Sequence, residues 1–117
     1  MPKPVLYGIS NCDTVKKARK WLEQQNIIYV FHNFRKDGLS DKELQNWLNA
    51  INWEVLLNRR STTWRALSEA DKNNLTQASA IKLMLANPTL IKRPVLVSGR
   101  QVLVGFSPAE YKHQLLK

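Results

Sequence analysis

The sequence predicts an α/β fold: a strand–helix–strand unit, a helical middle and a closing strand–strand–helix unit. Three observations carry this. Near the start, the apolar run Val5-Leu6-Tyr7-Gly8-Ile9 is followed by Ser10-Asn11-Cys12-Asp13-Thr14, a cluster of turn and capping residues. Val15, Ala18, Trp21 and Leu22 then recur at helical spacing. Near the end, Val95-Leu96-Val97 and Val102-Leu103-Val104 flank Ser98-Gly99-Arg100-Gln101, the pattern of an antiparallel hairpin with a glycine turn. Between these two regions, hydroxyl residues suited to helix caps precede apolar residues at helical spacing.

The first helix is expected from about Thr14 to Gln25, with Asn26 as its stop. Ile28-Tyr29-Val30-Phe31, β-branched and aromatic, reads as the second strand. A strand–helix–strand unit of this length implies a parallel pair with a right-handed crossover. Lys36-Asp37-Gly38 reads as a turn, and Ser40 with Glu43 as a capping box ahead of Leu44, Trp47, Leu48 and Ile51. Asn58 to Thr63 reads as polar and irregular. Ser68 with Asp71 caps a short helix, and Thr76 caps another that carries Ile81, Leu83, Met84 and Leu85 and ends near Asn87-Pro88. The middle is therefore expected to be all-helical. After the hairpin, Ser107-Pro108-Ala109-Glu110 is a strong helix start, and Tyr111, Leu115 and Leu116 supply its apolar face. This order is the thioredoxin-like arrangement with a helical insertion. The expected core is residues 3–35 and 90–117, with the insertion at 36–89, in a single domain.

Composition bounds the function. A length of 117 residues suits one compact domain. Eighteen Lys and Arg against nine Asp and Glu give a net charge of +9, which favours anionic partners: nucleic acid, an acidic protein or a small anion. The charge is spread over several segments, without an arginine-rich arm, zinc-finger spacing or RNP-type motif, so specific nucleic-acid binding is not expected. The opening MPKPVLYG has no long apolar run, so a signal peptide is not expected. No stretch approaches the ~18 apolar residues of a membrane span. One cysteine cannot form a disulfide within the chain. A cytoplasmic protein in a reducing compartment is expected, with a monomer as the default state.

Cys12 is the leading candidate for chemistry. A strand-to-helix turn gathers unpaired N–H groups and the positive end of the helix dipole, and both favour a thiolate. Lys16, Lys17, Arg19 and Lys20 follow in the first turns, where cations oppose the dipole. A thiolate or a bound anion would offset that cost. The position three residues after Cys12 is Val15, so no second thiol can resolve a mixed disulfide internally, and any redox cycle must borrow an external thiol. Lys92-Arg93-Pro94-Val95 places a proline before the hairpin, where this order of elements keeps a cis-proline facing the nucleophile. Arg93 would then point toward Cys12 and bind a carboxylate or oxyanion through its fork. Arg59 and Arg60, followed by Ser61-Thr62-Thr63, form a second candidate anion site. Arg65 is expected on an exposed helix face. His32 and His113 are weak signals, no metal site is expected, and the four tryptophans read as packing residues.

The segment Tyr7-Gly8-Ile9-Ser10-Asn11-Cys12-Asp13-Thr14-Val15-Lys16-Lys17-Ala18 resembles the opening of the ArsC-like family, in particular its small YffB-like branch. The resemblance continues through Asp37-Gly38-Leu39, Trp53-Glu54-Val55-Leu56-Leu57-Asn58, Thr62-Thr63-Trp64-Arg65, Ile91-Lys92-Arg93-Pro94 and Gly105-Phe106-Ser107. It implies a thioredoxin-like fold with a helical insertion and an active-site cysteine at Cys12. In arsenate reductases of the family, three arginines surround the oxyanion, and glutathione with glutaredoxin completes the reduction. Arg93 matches one of the three. The second column falls on or near Asn58, with Arg59 and Arg60 close behind, and the third is replaced in the Gly105-Phe106 region. Fewer fixed cations bind a tetrahedral oxyanion less well, which points away from efficient arsenate reduction.

The YffB-like branch implies a glutathione-dependent thiol reductase with no bound cofactor, glutathione as co-substrate and glutaredoxin as a further partner. In this reading Cys12 is the nucleophile, Arg93 its cation, and Asn11, Asp13, Thr14, Lys16, Arg59, Arg60 and Pro94 shape or bind the substrate. Two alternatives stand beside it. One is a non-catalytic regulator of the Spx type, which shares the fold and binds RNA polymerase or another acidic protein; the other, weaker, is arsenate reduction itself.

Overall fold

The computed structural model describes residues 3–116. They form two compact units, one made of the chain up to Gly38 together with the chain from Arg93 onward, the other of Leu39–Lys92.

The first unit is built on a four-stranded sheet in the order β2-β1-β3-β4. Its strands are β1 (Val5–Gly8), β2 (Val30–Asn33), β3 (Val95–Ser98) and β4 (Gln101–Val104). β1 and β2 are parallel, with Val5 opposite Val30 and Gly8 opposite Asn33. β1 and β3 are antiparallel, with Tyr7 opposite Val95, and β3 pairs with β4 in the predicted hairpin. The hairpin turns at Gly99-Arg100, and Gly99 takes φ +60°, a left-handed conformation that suits glycine. Two helices belong to the unit's frame, α1 (Asp13–Gln24) and the final helix (Pro108–Leu115), capped by Ser107, whose Oγ accepts from Glu110 N–H. Leu6, Leu96, Ala18, Leu22 and Tyr111 form the fully buried centre, and Trp21, Ile27, Phe31, Leu103 and Phe106 pack around it.

α1 ends in a Schellman motif. Asn26 sits at φ 57°, its N–H donates to Glu23 C=O, and Ile27 N–H donates to Leu22 C=O. This corrects the expected second strand, which begins at Val30 rather than Ile28. Ile27 is used by the helix stop, Ile28 is left exposed, and the first bond to β1 runs from Val30 N–H to Pro4 C=O. A short helix, α2 (Phe34–Asp37), follows β2, capped by the Asn33 side chain. The lysine-aspartate pair read as a turn is its end, and Gly38 closes it at φ 78°. Leu116 lies beyond the last helix and is exposed, so it is not part of that helix's apolar face.

The second unit contains α3 (Asp41–Leu48), α4 (Trp53–Leu56), α5 (Thr62–Ala66), α6 (Glu69–Lys72) and α7 (Gln77–Ala86), which makes the final helix α8. Ser40 and Glu43 make the predicted capping box, and Ser68 and Thr76 cap α6 and α7 as expected. Leu44, Trp47, Leu56, Leu57, Ala80, Ile81, Met84, Leu90 and Ile91 are buried. The middle is not all-helical. Leu57 and Ile91 form an antiparallel bridge, with Asn58 N–H donating to Leu90 C=O at 2.7 Å and Lys92 N–H to Leu56 C=O at 2.9 Å. Both residues are apolar and flanked by short helices, so only their long-range partner reveals the pairing. The segment read as irregular also tightens into structure at its end, where Ser61 Oγ accepts from Trp64 N–H and starts α5.

Candidate active site

Cys12 is the N-cap residue of α1, in an extended conformation (φ −102°, ψ 126°). The helix ladder opens with Lys16 N–H donating to Cys12 C=O at 2.9 Å, so the N–H groups of Asp13, Thr14 and Val15 lie outside it. An oxygen-bearing cap would spend its side chain on those donors. The Cys12 side chain makes no cap hydrogen bond, and the residue is half-buried. Its sulfur therefore combines a helix N-terminus with an uncommitted lone pair.

Gly8 makes this placement possible. A Cβ at Gly8 would lie 2.8 Å from Val15 Cγ2, so the end of β1 and the first turn of α1 approach as closely as a glycine permits. From the sequence, Gly8 stands only as a strand residue and as part of the family-like opening. Its local signal is a glycine inside an apolar strand run, two residues before the capping cluster, the mark of a close backbone approach.

The sheet brings Arg93-Pro94 to the same end of the unit. The β1–β3 register pairs Val5 with Val97, Leu6 with Leu96 and Tyr7 with Val95. Continued by one residue, it sets Pro94 beside Gly8, where the chain turns toward Cys12. The Arg93–Pro94 peptide bond is cis, as the order of elements predicts. Pro94 is buried, and its carbonyl accepts from Gly105 N–H at 2.8 Å. Among the described residues, Arg93 Nη1 is buried with no hydrogen-bond partner. A buried guanidinium N–H without an acceptor is costly, and an anionic ligand would satisfy it.

The other expected residues divide. Asn11, Asp13, Thr14 and Lys16 are all exposed around the turn. Of the basic residues on α1, Arg19 is committed elsewhere: its Nε donates to Tyr29 Oη at 3.1 Å and its guanidinium lies 4.1 Å from the centre of the Phe31 ring. Arg59 and Arg60 belong to the second unit. Arg59 reaches Glu54 at 4.0 Å and lies 5.7 Å from the Trp64 ring, with Lys72 at the same distance from that ring. Arg60 donates its backbone N–H to Asn58 Oδ1, and its exposed side chain makes no ion pair or hydrogen bond among the described residues. Of the two, Arg60 is the cation left available for a ligand. Asn58 is a loop organiser: it accepts from Arg60 N–H, and its carbonyl accepts from Ser61 Oγ at 2.9 Å.

His32 is used in packing. Its ring lies 4.7 Å from that of Tyr7, and its Nε2 is 2.6 Å from Gly38 C=O. Among the described residues, no three His, Cys, Asp or Glu side chains group to hold a metal ion, and no helix is long and apolar enough to cross a membrane.

Fold and site define a class: a thioredoxin-like domain with one cysteine at its first helix cap and a cis-proline at the hairpin entrance. The chain belongs to the ArsC family, whose pattern it matches over residues 7–114. It is similar, at 48% identity over 107 residues, to a Haemophilus influenzae protein described as uncharacterized, covering 92% of this chain and 94% of that one. The solved structure of a YFFB protein superposes with a TM-score of 0.93 at 48% identity, covering 97% of this chain and 99% of that one. The global transcriptional regulator Spx of Streptococcus mutans is 27% identical over 122 residues, covering 96% of this chain and 88% of the regulator.

Proposed function

We propose that this ArsC-family chain is a glutathione-dependent thiol reductase with Cys12 as its single nucleophile. The observation that supports it most is the pairing, at one end of one sheet, of an uncommitted cysteine cap with an arginine whose buried Nη1 lacks a partner. In the first step the Cys12 thiolate attacks the glutathione sulfur of a mixed disulfide. A Cys12–glutathione disulfide forms, and the substrate thiolate leaves and takes a proton. Free glutathione, as thiolate, then attacks that disulfide, releasing oxidised glutathione and restoring Cys12. The net reaction reduces one mixed disulfide and oxidises one glutathione. Arg93 would hold a glutathionyl carboxylate, and the exposed N–H groups of the α1 cap would face the reacting sulfur. Asn11, Asp13, Thr14 and Pro94 shape the turn in this reading, and Lys16 adds a nearby cation.

The test is turnover of a glutathionylated peptide with free glutathione, with mass measurement of the protein at intermediate times. The expected result is a glutathione adduct on Cys12 that free glutathione removes, and complete loss of turnover in Cys12→Ser. Equal rates in the two proteins would overturn the proposal, and a faster reaction with arsenate would replace it with oxyanion reduction.

A second reading is favoured by the similarity to Spx over nearly the whole chain. In it the protein is a regulator that binds an acidic protein partner. Partner capture that persists in Cys12→Ser, together with absent turnover in the wild type, would favour it.

A further inference from the structure

Tyr111 is fully buried in α8, yet its hydroxyl is not idle. It donates to Gly105 C=O at 2.9 Å, and Gly105 N–H in turn donates to Pro94 C=O at 2.8 Å. Gly105 follows β4 at φ +82°, a left-handed conformation that lets the chain leave the hairpin while its amide still reaches back past the last paired residues, Val95 and Val104. The phenol ring is held from two sides. Phe106 meets it edge-on at 5.0 Å, and Trp21 of α1 meets it edge-on at 5.9 Å. The helix whose cap is Cys12 and the segment that carries Arg93 thus converge on one side chain.

We propose that the Tyr111 hydroxyl is a positioning group that fixes the Arg93–Pro94 segment relative to Cys12 through the Gly105 relay. This rests on the reading of Cys12 and Arg93 as partners at one site. The hydroxyl touches neither a substrate nor the sulfur; it acts through two hydrogen bonds in series. The phenol is a donor at physiological pH, as any tyrosine is, and burial, with a smaller contribution from Glu110, raises its pKa further. Losing the donor frees the Gly105–Phe106 peptide, whose plane meets at the Gly105 Cα the Val104–Gly105 peptide that donates to Pro94 C=O, so the hold on the Pro94 carbonyl loosens.

The test compares alkylation of Cys12 by iodoacetate and by iodoacetamide, which differ mainly in charge. The ratio of the two rates reports the cation beside the sulfur, whereas general loosening changes both rates together. Arg93→Ala is expected to lower the ratio about fivefold, the effect of one unit charge at contact distance in water. Tyr111→Phe keeps the ring, removes the oxygen and is expected to give most of the same loss. An unchanged ratio in Arg93→Ala would defeat the reading of the site itself. A reduced ratio in Arg93→Ala with a wild-type ratio in Tyr111→Phe would leave the site standing and overturn the relay. Should Tyr111→Phe not fold, Phe106→Leu carries the test: the hydroxyl remains but loses the ring that aligns it. An intermediate ratio is then expected, and a wild-type ratio overturns the relay.

Discussion

At the scale of single residues, the glycine before the turn carries as much of the site as the cysteine after it. Gly8 and Val15 are placed so that a Cβ on Gly8 would meet Val15 Cγ2 at 2.8 Å. Both residues are buried, so neither can relieve the clash by moving into solvent. Gly8→Ala is therefore expected to destabilise the protein by roughly 1–3 kcal/mol, the usual cost of overpacking. Val15→Ala in the same chain removes the clashing methyls and should recover part of the loss. Denaturant unfolding of the two single variants and the double variant checks this, and strict additivity would show that the two residues do not meet. Arg59 offers a contrast. Its ion pair with Glu54 joins two half-exposed side chains at 4.0 Å, so Arg59→Ala should change the unfolding free energy by less than about 1 kcal/mol.

At the scale of elements, stability rests on local caps. The Ser40 hydroxyl accepts from Glu43 N–H at 3.1 Å, and Glu43 Oε1 accepts from Ser40 N–H at 3.0 Å. Thr76 and Ser79 repeat the exchange at the start of α7, with Thr76 Oγ1 accepting at 3.2 Å. Replacing either cap by alanine leaves a first-turn N–H without its acceptor. Ser40→Ala and Thr76→Ala are each expected to cost about 1 kcal/mol in thermal or denaturant unfolding, and Ser40→Asp to retain most of it. These caps were legible in the sequence because cap and partner lie three residues apart. The register of β2 was not. Ile28-Tyr29 has the composition of a strand, but its neighbours are consumed by the Schellman stop, and the ladder starts only where Pro4 can accept from Val30. The Leu57–Ile91 bridge escaped for the same reason, since its halves are far apart in the chain.

At the scale of the whole molecule, two solution properties follow from charge and burial. The net charge of +9 is an excess of like charge, so self-repulsion weakens the folded state at low ionic strength. Raising salt from low to physiological levels is expected to raise the melting temperature, and a fall would show that specific ion pairs outweigh the repulsion. Tyr111 sets a component of the alkaline limit. Its folded pKa lies above the unfolded value of about 10. Above that pH the unfolded chain has lost a proton that the folded chain keeps, so stability falls as pH rises toward the folded pKa. Tyr111→Phe lacks this component. The stability gap between wild type and variant, measured by denaturant unfolding, should narrow above about pH 10 and stay constant below it.

The sequence by itself determined the order of elements, most caps, the hairpin and the place of Cys12 at a helix start. Each of these depends on residues a few positions apart, whose hydrogen bonds and periodicity are written locally. It also marked Arg93-Pro94 as the partner segment, through the order of elements and the family resemblance. Only the tertiary structure decided which cations remain free. Arg19 is drawn to Tyr29 and Phe31, Arg59 to Glu54 and Trp64, whereas Arg93 keeps a buried Nη1 without a hydrogen-bond partner among the described residues. It also decided why Gly8 is glycine and how Tyr111 reaches Pro94. Those answers depend on atoms far apart in the chain, and only packing brings them within a bond length's tolerance of one another.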